Sequence, residues 1–210
     1  MKKTSSKRWL RNHFSDIYVR LAKREGLRAR SAYKLIEINK HYKIIRPNMN
    51  VVDLGASPGG WSEYIAEIVG VKGKIFAIDI LDMRCIIGVE FIRGDFTDIK
   101  IQQLLYYKLC NQKVDVMLSD MAPNLSGVKD IDQMRIMDLA DKVLNFSCKI
   151  LKNRGTVLIK LFHGVGFDSF VHKAHRSFSD VKVIKPKASQ LRSSEVFLLI
   201  RNFNNVIMNI

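Results

Sequence analysis

The stretch VVDLGASPGGWSEY, residues 51–64, decides how the rest of the chain is interpreted. An apolar run ends in a glycine-rich turn. Apolar residues at helical spacing follow, namely Trp61, Tyr64, Ile65 and Ile68. A strand, a tight turn and a helix in this order are typical of a site where a nucleotide-like ligand meets the backbone.

The turn nearly matches two phosphate-binding patterns and satisfies neither. From Gly55 onward it fits G-x-x-x-x-G-K-[ST], except that Trp61 occupies the lysine position. The dinucleotide pattern G-x-G-x-x-G fails because Ser57 replaces its second glycine. Glycines still allow a ligand to approach the backbone closely. The turn therefore favours a nucleoside ligand without a phosphate chain over ATP, a nicotinamide or a flavin.

Strand-like and helix-like segments alternate from residue 49 onward. The strand-like runs cover residues 49–54, 74–80, 90–92, 114–119, 156–162, 181–184 and 196–200. Several are unbroken, as expected of strands buried on both faces. The alternation predicts an α/β fold with an open, doubly wound, mainly parallel sheet. The loop before the last strand is too short for a helical crossover, so we expect the last two strands to pair antiparallel.

Two further helical patterns lie in the second half of the chain. One carries Met134, Met137, Leu144 and Leu151, and the other Phe167, Phe170, Val171 and Ala174. We expect Met134 and Met137 in the core, and we interpret KNRG at residues 152–155 as a basic last helical turn with a glycine stop. We expect one domain: a basic helical lead-in at 1–49, a catalytic domain at 50–203 and a tail at 204–210.

The charge of the chain is concentrated near its start. The formal net charge is +15, and residues 1–34 contribute +9 of it. Trp9, Phe14, Tyr18 and Tyr33 are interleaved with these cations. The pattern predicts RNA or DNA binding with stacking surfaces, and a merely solvated basic face is the alternative.

Other classes of protein are disfavoured. No run approaches the roughly 18 apolar residues of a membrane span, and the basic start lacks the apolar core of a signal peptide. We expect a cytoplasmic protein, with a mitochondrial transit peptide as the alternative. Cys85, Cys110 and Cys148 are far apart, so we expect free thiols and neither a metal site nor a disulfide framework.

Acidic residues follow the predicted strands that neighbour the glycine turn. Asp79 ends the second strand, 24 residues after Gly55, where a carboxylate can accept ribose hydroxyls. Asp95 follows the third strand and could meet an adenine amino group. An acidic site beside a turn without phosphate contacts suits S-adenosylmethionine, which joins adenosine to a sulfonium cation.

Six segments in order resemble the FtsJ/RrmJ family of ribosomal RNA 2'-O-ribose methyltransferases. They are RSAYKL, DLGASPGGWSEY, GDFTD, SDMAPNLSG, VLIKLFHGVGF and KPKASQLRSSEVFLL. The resemblance runs from about Trp9 to Phe203. It implies a Rossmann-like class I methyltransferase fold, with seven mostly parallel strands, an antiparallel last strand and helices on both faces.

The resemblance also implies functional residues. The family's Lys-Asp-Lys-Glu tetrad falls on Lys34, Asp120, Lys160 and Glu195. Its contacts with S-adenosylmethionine fall on Gly59, Trp61, Asp79, Asp95 and Asp120. Departures such as Ser57 and Leu125 lie outside the tetrad.

The reaction implied is in-line transfer of a methyl group to a ribose 2'-hydroxyl, with Lys160 as candidate base. Burial, the cofactor's charge and Lys34 favour the neutral amine that a base needs, whereas Asp120 favours the charged form. Lys34 would orient the hydroxyl, and Glu195 would bind the ribose or Lys34. His163 is interpreted as a loop residue rather than a proton shuttle. Trp61 is expected to pack beside the cofactor.

The resemblance implies a uridine in the A-loop of 23S rRNA, methylated in the assembled 50S subunit by a monomer. Lys185, Lys187 and Arg192 would join the lead-in in gripping the RNA backbone. A tRNA anticodon-loop methyltransferase and a non-catalytic ribosome-assembly factor are the alternatives. Intact Lys160 and Asp120 disfavour the latter.

Overall fold

The computed structural model describes residues 17–190 and 193–203. The predictions for Trp9, Phe14, Arg192 and the tail at 204–210 lie outside these residues. The division of the chain into lead-in, catalytic domain and tail stays a prediction.

Seven strands form one sheet within the described part of the chain, in the order β3-β2-β1-β4-β5-β7-β6. The strands are β1 Asn50–Leu54, β2 Lys74–Asp79, β3 Val89–Arg93, β4 Val114–Ser119, β5 Leu151–Phe162, β6 Phe178–Ile184 and β7 Glu195–Phe203. The first five pair in parallel, whereas β7 runs antiparallel to both β5 and β6. The predicted sheet and its antiparallel last strand are confirmed.

Helices cover both faces of the sheet. They are α1 Ile17–Glu25, α2 Ala32–Tyr42, α3 Gly60–Val69, α4 Ile99–Leu109, α5 Lys129–Ile150 and α6 Phe167–His175. Helices α2 and α3 pack on one face through residues such as Leu35 and Ile65. Helices α4, α5 and α6 pack on the other face in a larger cluster around Phe146. None of the helices described is both long and apolar enough to cross a membrane.

Two expectations about helix α5 are wrong. The helix ends at Ile150, and residues 152–155 belong to β5 rather than to a last helical turn. The ladder register shifts between Val114 and Val116 opposite this segment, and Arg154 is left-handed there, as in a β-bulge. Met134 is 73% exposed, because the core-facing stripe of α5 runs instead through Ile136, Ala140 and Val143. Met137 packs against the core as expected.

The described lead-in is helical, as expected, and part of it belongs to the sheet's core. Tyr18 and Tyr33 pack against each other, with ring centroids 5.4 Å apart. Leu35 and Ile38 of α2 are fully buried against the sheet. The position of Lys34 is therefore determined by the same apolar packing that holds α2 in place.

Candidate active site

A cavity of about 530 Å³ opens at the carboxyl edge of the sheet. We call it the cofactor cavity, after the S-adenosylmethionine that the sequence predicts there. Gly55 and Ser57 of the glycine turn line it, together with the acidic strand ends Asp79, Asp95 and Asp120. Parallel strands bring these residues together because their carboxyl ends meet at one edge. The cavity lies at the switch point of the sheet. Strands β2 and β3 lie on one side of β1, and the strands from β4 onward lie on its other side.

The carboxylates of Asp79 and Asp95 each use part of their hydrogen-bonding capacity to hold the surrounding loops. Asp79 Oδ2 accepts from Ser57 N at 2.9 Å, and Oδ1 accepts from Leu81 N at 2.8 Å. Asp95 Oδ1 accepts from both the backbone and the hydroxyl of Thr97. A carboxylate oxygen has two lone pairs, so both residues retain capacity for ligand hydroxyl and amine groups.

At Gly55 the glycine turn packs closely against Met121, which lies in the loop after β4. Its φ is +76°, and a Cβ built there would lie 2.8 Å from Met121 Cγ and 3.0 Å from Met121 N. Only glycine fits this conformation and this space. The glycine is therefore required by the close packing of the turn against Met121, which also lines the cavity.

Two further side chains that line the cavity were not predicted from the sequence. Ile80 and Leu81 follow Asp79, line the cavity and remain 59% and 62% exposed. Apolar side chains held in solvent at a ligand cavity suit an aromatic base. Their signal in the sequence was two large apolar residues directly after a strand-ending aspartate.

Gly59 and Trp61 lie away from this cavity. The Trp61 indole is 3% exposed, packs on Phe197 and donates to Ser31 O at 2.8 Å. This hydrogen bond links α3 to the start of α2. Trp61 thus has a structural contact at the position where a phosphate-binding loop has its lysine. Gly59 has φ +106°, and a Cβ there would meet Ile86 and Met83 rather than the cavity.

The four tetrad residues meet on the sheet face covered by α2. Lys160 pairs with Phe197 and Phe162 pairs with Glu195 in the antiparallel ladder. Side chains alternate along a strand, so Lys160 and Glu195 share this face. Lys34 reaches the same face from α2, with its Nζ 5.5 Å from the centre of the Phe197 ring.

The tetrad forms two neighbouring ion pairs that are nearly buried. Lys34 Nζ lies 2.7 Å from Glu195 Oε1, and Lys160 Nζ lies 2.8 Å from Asp120 Oδ1. The four side chains are only 10–16% exposed. Lys160 also donates to the carbonyl oxygen of Asp120. The Lys160 amine is thus held against Asp120, which lines the cofactor cavity, and the Lys34 amine is held against Glu195.

Glu195 is held in its charged form. Burial would raise the pKa of Glu195, but the charge of Lys34 and hydrogen bonds from Lys34 and Ser189 outweigh it and leave that pKa lowered. Ser189 Oγ donates to Oε1 at 2.7 Å. Glu195 therefore remains an anion that can orient Lys34.

A fifth carboxyl group lies beneath the cofactor cavity. Asp53 on β1 is fully buried, and its Oδ2 accepts from Ser62 Oγ at 2.6 Å. Its Oδ1 has no hydrogen-bond partner among the residues described. Burial raises the pKa of Asp53 to about 7; the Ser62 hydrogen bond opposes the shift, and the charges of Asp120 and Asp79 add to it.

Two arginines before α2 also belong to the site, and the sequence analysis did not single them out. Arg30 donates to Ala188 O and lies close enough to Glu195 and Asp120 to feel their charges. Burial lowers the pKa of Arg30, and the two carboxylates partly offset the shift. Arg28 donates to the carbonyl oxygens of Arg84 and Cys85 and pairs with Glu63, which fastens the loop after β2.

The loop after β4 is tied to the start of α5. Asp132 accepts from Ser126 N at 2.6 Å, from Ser126 Oγ at 2.8 Å and from Gly127 N at 2.9 Å. Arg135 donates to Asn124 O at 3.1 Å. These bonds hold the wall of the cofactor cavity that begins at Met121.

The remaining predicted residues lie around the tetrad. Lys185 donates to the carbonyl oxygens of Ser193 and Glu195, and Lys187 is exposed. His163 is exposed in the loop after β5, and its ring lies against Phe167. Cys85, Cys110 and Cys148 are free thiols. Among the residues described, no three His, Cys, Asp or Glu side chains converge as a metal site would require.

The cavity fits the chemical groups of S-adenosylmethionine. Carboxylates can accept from its ribose hydroxyls and amines, and they stabilise its positive charge. The backbone at Gly55 and the apolar pair Ile80 and Leu81 suit the nucleoside. The lysine position of a phosphate-binding loop is occupied by Trp61, whose side chain is buried in the core.

Comparison with known proteins agrees with this geometry. Residues 27–203 match the model of the FtsJ-like methyltransferase family. Proteins named ribosomal RNA large subunit methyltransferase E are similar along nearly their whole length. The one from Legionella pneumophila is 48% identical, over 95% of this chain and 97% of its own. The one from Hahella chejuensis is 44% identical, over 95% and 97%.

Solved structures show the same architecture. A protein from Plasmodium falciparum named as a ribosomal RNA methyltransferase has a TM-score of 0.75 and 29% identity, over 84% of this chain and 98% of that one. The MycE methyltransferase of the mycinamycin pathway shares the fold alone, with a TM-score of 0.54 and 12% identity, over 90% of this chain and 49% of that one. The chain belongs to the FtsJ-like methyltransferase family, whose cofactor is S-adenosylmethionine.

Proposed function

We propose that this enzyme methylates the 2'-hydroxyl of a uridine ribose in the A-loop of 23S rRNA, within the assembled 50S subunit. The observation that carries the proposal is the pair of nearly buried lysine amines, Lys34 and Lys160, the second of which contacts Asp120 of the cofactor cavity. A ribose 2'-hydroxyl is an acceptor that RNA has and DNA lacks. The names of the relatives support the large ribosomal subunit as the source of the RNA.

The cofactor, when bound, supplies a methyl group on a sulfonium that is already a good leaving group. What the chain must add is alignment and removal of one proton. Lys160 acts as a base only in its neutral form, so the ion pair with Asp120 must first release one proton to solvent. Lys160 Nζ then accepts the 2'-hydroxyl proton as the new oxygen–carbon bond forms, and Asp120 stabilises the ammonium that results. Because Asp120 also lines the cofactor cavity, it aligns the base with the reacting methyl group.

Lys34 donates to the ribose oxygen and holds it in line. Glu195 orients Lys34 through the contact at 2.7 Å, and Ser189 orients Glu195. Asp79 binds the cofactor ribose, and Asp95 binds the adenine amino group. The contacts of Gly59 and Trp61 with the cofactor, which the family resemblance implies, stay predictions. Arg30, Lys185 and Lys187 face the RNA. The enzyme acts as a monomer in the cytoplasm.

The test is transfer of tritiated methyl groups from S-adenosylmethionine to 50S subunits purified from a strain that lacks this enzyme. Free rRNA and tRNA are offered as competing acceptors. Wild type should label the subunits at a ribose 2'-oxygen. Lys160→Ala should lower the rate by about 10²- to 10⁴-fold, the usual contribution of a general base, while cofactor binding measured by calorimetry persists. Lys160→Arg is the matched control, since it keeps the positive charge but cannot serve as a base.

Three results would change the assignment. Label on tRNA alone would keep the reaction and replace the substrate with an anticodon loop. Full activity of Lys160→Arg would remove the base role from Lys160. Cofactor binding without label on any acceptor would favour the assembly factor.

A further inference from the structure

A second cavity, of about 300 Å³, opens at the amino-terminal edge of the sheet. It lies at the opposite edge from the cofactor cavity, between the start of β5, the end of β7 and the segment after α2. We call it the basic pocket and define it by the lining residues Tyr42, Lys43, Arg46, Lys152, Arg154 and Arg201. Neither the tetrad nor the cofactor cavity uses any of them.

The pocket carries more positive charge than its own carboxylates neutralise. Lys152 is paired with Asp115 at 2.8 Å, and Arg201 is paired with Asp180. The other three cations, Lys43, Arg46 and Arg154, are exposed and form no ion pair with any residue that the structure describes. Like charges gathered around one concave surface repel each other and concentrate anions from solution.

The backbone places two of these cations in conformations that their side chains do not favour. Lys43 has φ +52° and Arg154 has φ +63°. Left-handed backbone is ordinarily occupied by glycine or asparagine. Arg154 also stands in the bulge of β5, which turns its side chain out of the regular ladder. The negative end of a helix dipole attracts cations, which can explain Lys43 at the end of α2. It cannot explain Arg154, which lies on a strand.

The pocket also has an aromatic wall. Tyr42 is half-buried, with the Arg201 guanidinium 5.9 Å from its ring centre and Lys182 Nζ at 6.0 Å. Cations beside an aromatic ring recur where proteins bind a nucleic-acid strand, because the cations meet phosphates and the ring meets a base.

The distance between the basic pocket and the tetrad suits a long ligand. Arg154 and Lys160 lie six residues apart on β5, which corresponds to roughly 20 Å along a strand. A free nucleotide cannot touch both places, whereas an RNA strand that crosses the protein surface from one end of the sheet to the other can.

We infer that the basic pocket is a second RNA-binding site, which holds backbone phosphates of the same RNA whose ribose enters the tetrad. The inference rests on the proposed function for its choice of RNA. The pocket would supply affinity and orientation without reading sequence, because phosphate contacts are the same for every nucleotide.

The test compares a triple variant, Lys43→Asn with Arg46→Gln and Arg154→Asn, with wild type. Asparagine tolerates the left-handed backbone at positions 43 and 154, so folding should survive. The matched control is Lys72→Gln with Lys100→Gln and Arg176→Gln. These are exposed cations away from both cavities, and their replacement removes the same net charge. Binding of 50S subunits and of a labelled RNA fragment is measured across a salt series, together with methyl-transfer kinetics.

The triple variant should reduce the slope of log K against log salt by about two, at roughly 0.7 per lost phosphate contact. Its KM for the RNA substrate should rise about tenfold or more while kcat changes little. The control should match wild type more closely in both respects. A slope equal to that of the control, with wild type active, would overturn the inference and leave the proposed function in place.

Two other outcomes distinguish the proposed function from the assignment of the basic pocket as an RNA-binding site. If wild type transfers no methyl group but its RNA binding still depends on the three cations, the pocket assignment stands and the proposed function fails. If inorganic phosphate shifts the amide signals of the pocket at low concentration while the triple variant binds RNA as the control does, the pocket is a small-anion site. The RNA assignment would then be wrong.

Discussion

Lys34 and Glu195 lie 161 positions apart in the chain, yet Lys34 Nζ is 2.7 Å from Glu195 Oε1. One residue belongs to a helix of the basic lead-in and the other to the last strand. Their contact joins the two ends of the described chain directly at the transfer site. Breaking it should therefore affect both catalysis and the acid stability of the fold.

We expect Glu195→Gln to slow methyl transfer, because Lys34 loses the anion that orients it. The folded-state pKa of Glu195 is lowered, so its stabilising contribution is complete above the ordinary glutamate pKa and is lost as the pH falls through the lowered value. Urea unfolding at several pH values from neutral to acid should show a smaller loss of stability in the variant. Glu67→Gln, on the surface of α3, should unfold with the wild-type pH dependence. Equal acid sensitivity in Glu195→Gln and wild type would contradict the account.

We expect Gly55→Ala to weaken cofactor binding by about tenfold or more, because a misplaced wall in a site can cost on that order. The added Cβ would lie 2.8 Å from Met121 Cγ, and the alanine would have to hold φ +76°. Gly88→Ala is the matched control, since φ is +81° there but nothing lies within 4 Å of the added carbon. Calorimetry with S-adenosylmethionine measures the affinity, and thermal unfolding measures the backbone strain that both variants share. Equal affinities in the two variants would refute the role of close approach.

We expect Asp132→Ala to raise the KM for the cofactor, because the loop that begins at Met121 loses three hydrogen bonds to this carboxylate. Asp130→Ala removes an exposed carboxylate from the same first turn of α5 and serves as the control. Limited proteolysis should cut the loop faster in Asp132→Ala only. The prediction fails if both variants keep the wild-type KM and cleavage rate.

We expect Asp53→Asn to flatten the pH dependence of stability. Burial raises the pKa of Asp53 from 3.8 to about 7, so the folded state binds this proton where the unfolded state has lost it. The contribution of Asp53 should thus fall as the pH rises from about 4 to about 7, by at most about 1.4 kcal/mol per pH unit. Denaturant unfolding at pH 5, 6, 7 and 8 compares the variant with wild type. Parallel curves would mean that Asp53 does not bind this proton.

Short-range pattern in the sequence was enough to predict the sheet and the cofactor end of the site. Unbroken apolar runs and acidic strand ends are local features, and parallel strands bring their ends to one edge whatever lies between them. Asp79, Asp95 and Asp120 therefore line one cavity as expected. Helix α4 was not singled out, because only Leu105 and Leu109 of its residues are buried and its apolar stripe is narrow.

Two predictions from sequence patterns were wrong, because the same pattern occurs in more than one local structure. Met134 has helical spacing to Met137, but it lies on the exposed side of α5, since a helix face is decided by what packs against it. The cations and glycine at 152–155 resemble a helix end. Leu151 already pairs with Val114 in the sheet, however, so the chain is extended before this segment begins. Trp61 is buried through its contact with Phe197 and its hydrogen bond to Ser31, and its contact with the cofactor stays a prediction.

The sequence by itself determined that this is a doubly wound α/β methyltransferase, and it predicted a nucleoside site at the glycine turn. Strand period and turn chemistry are local features, and the family motifs can be recognised from their order along the chain. Only the tertiary structure decided which lysine pairs with which carboxylate and how deeply Asp53 is buried. It also decided that three cations without an ion pair to any described residue line a pocket at the amino-terminal edge of the sheet. These relationships join residues from distant strands and helices. Their distances depend on sheet order, register and packing, which no local pattern specifies.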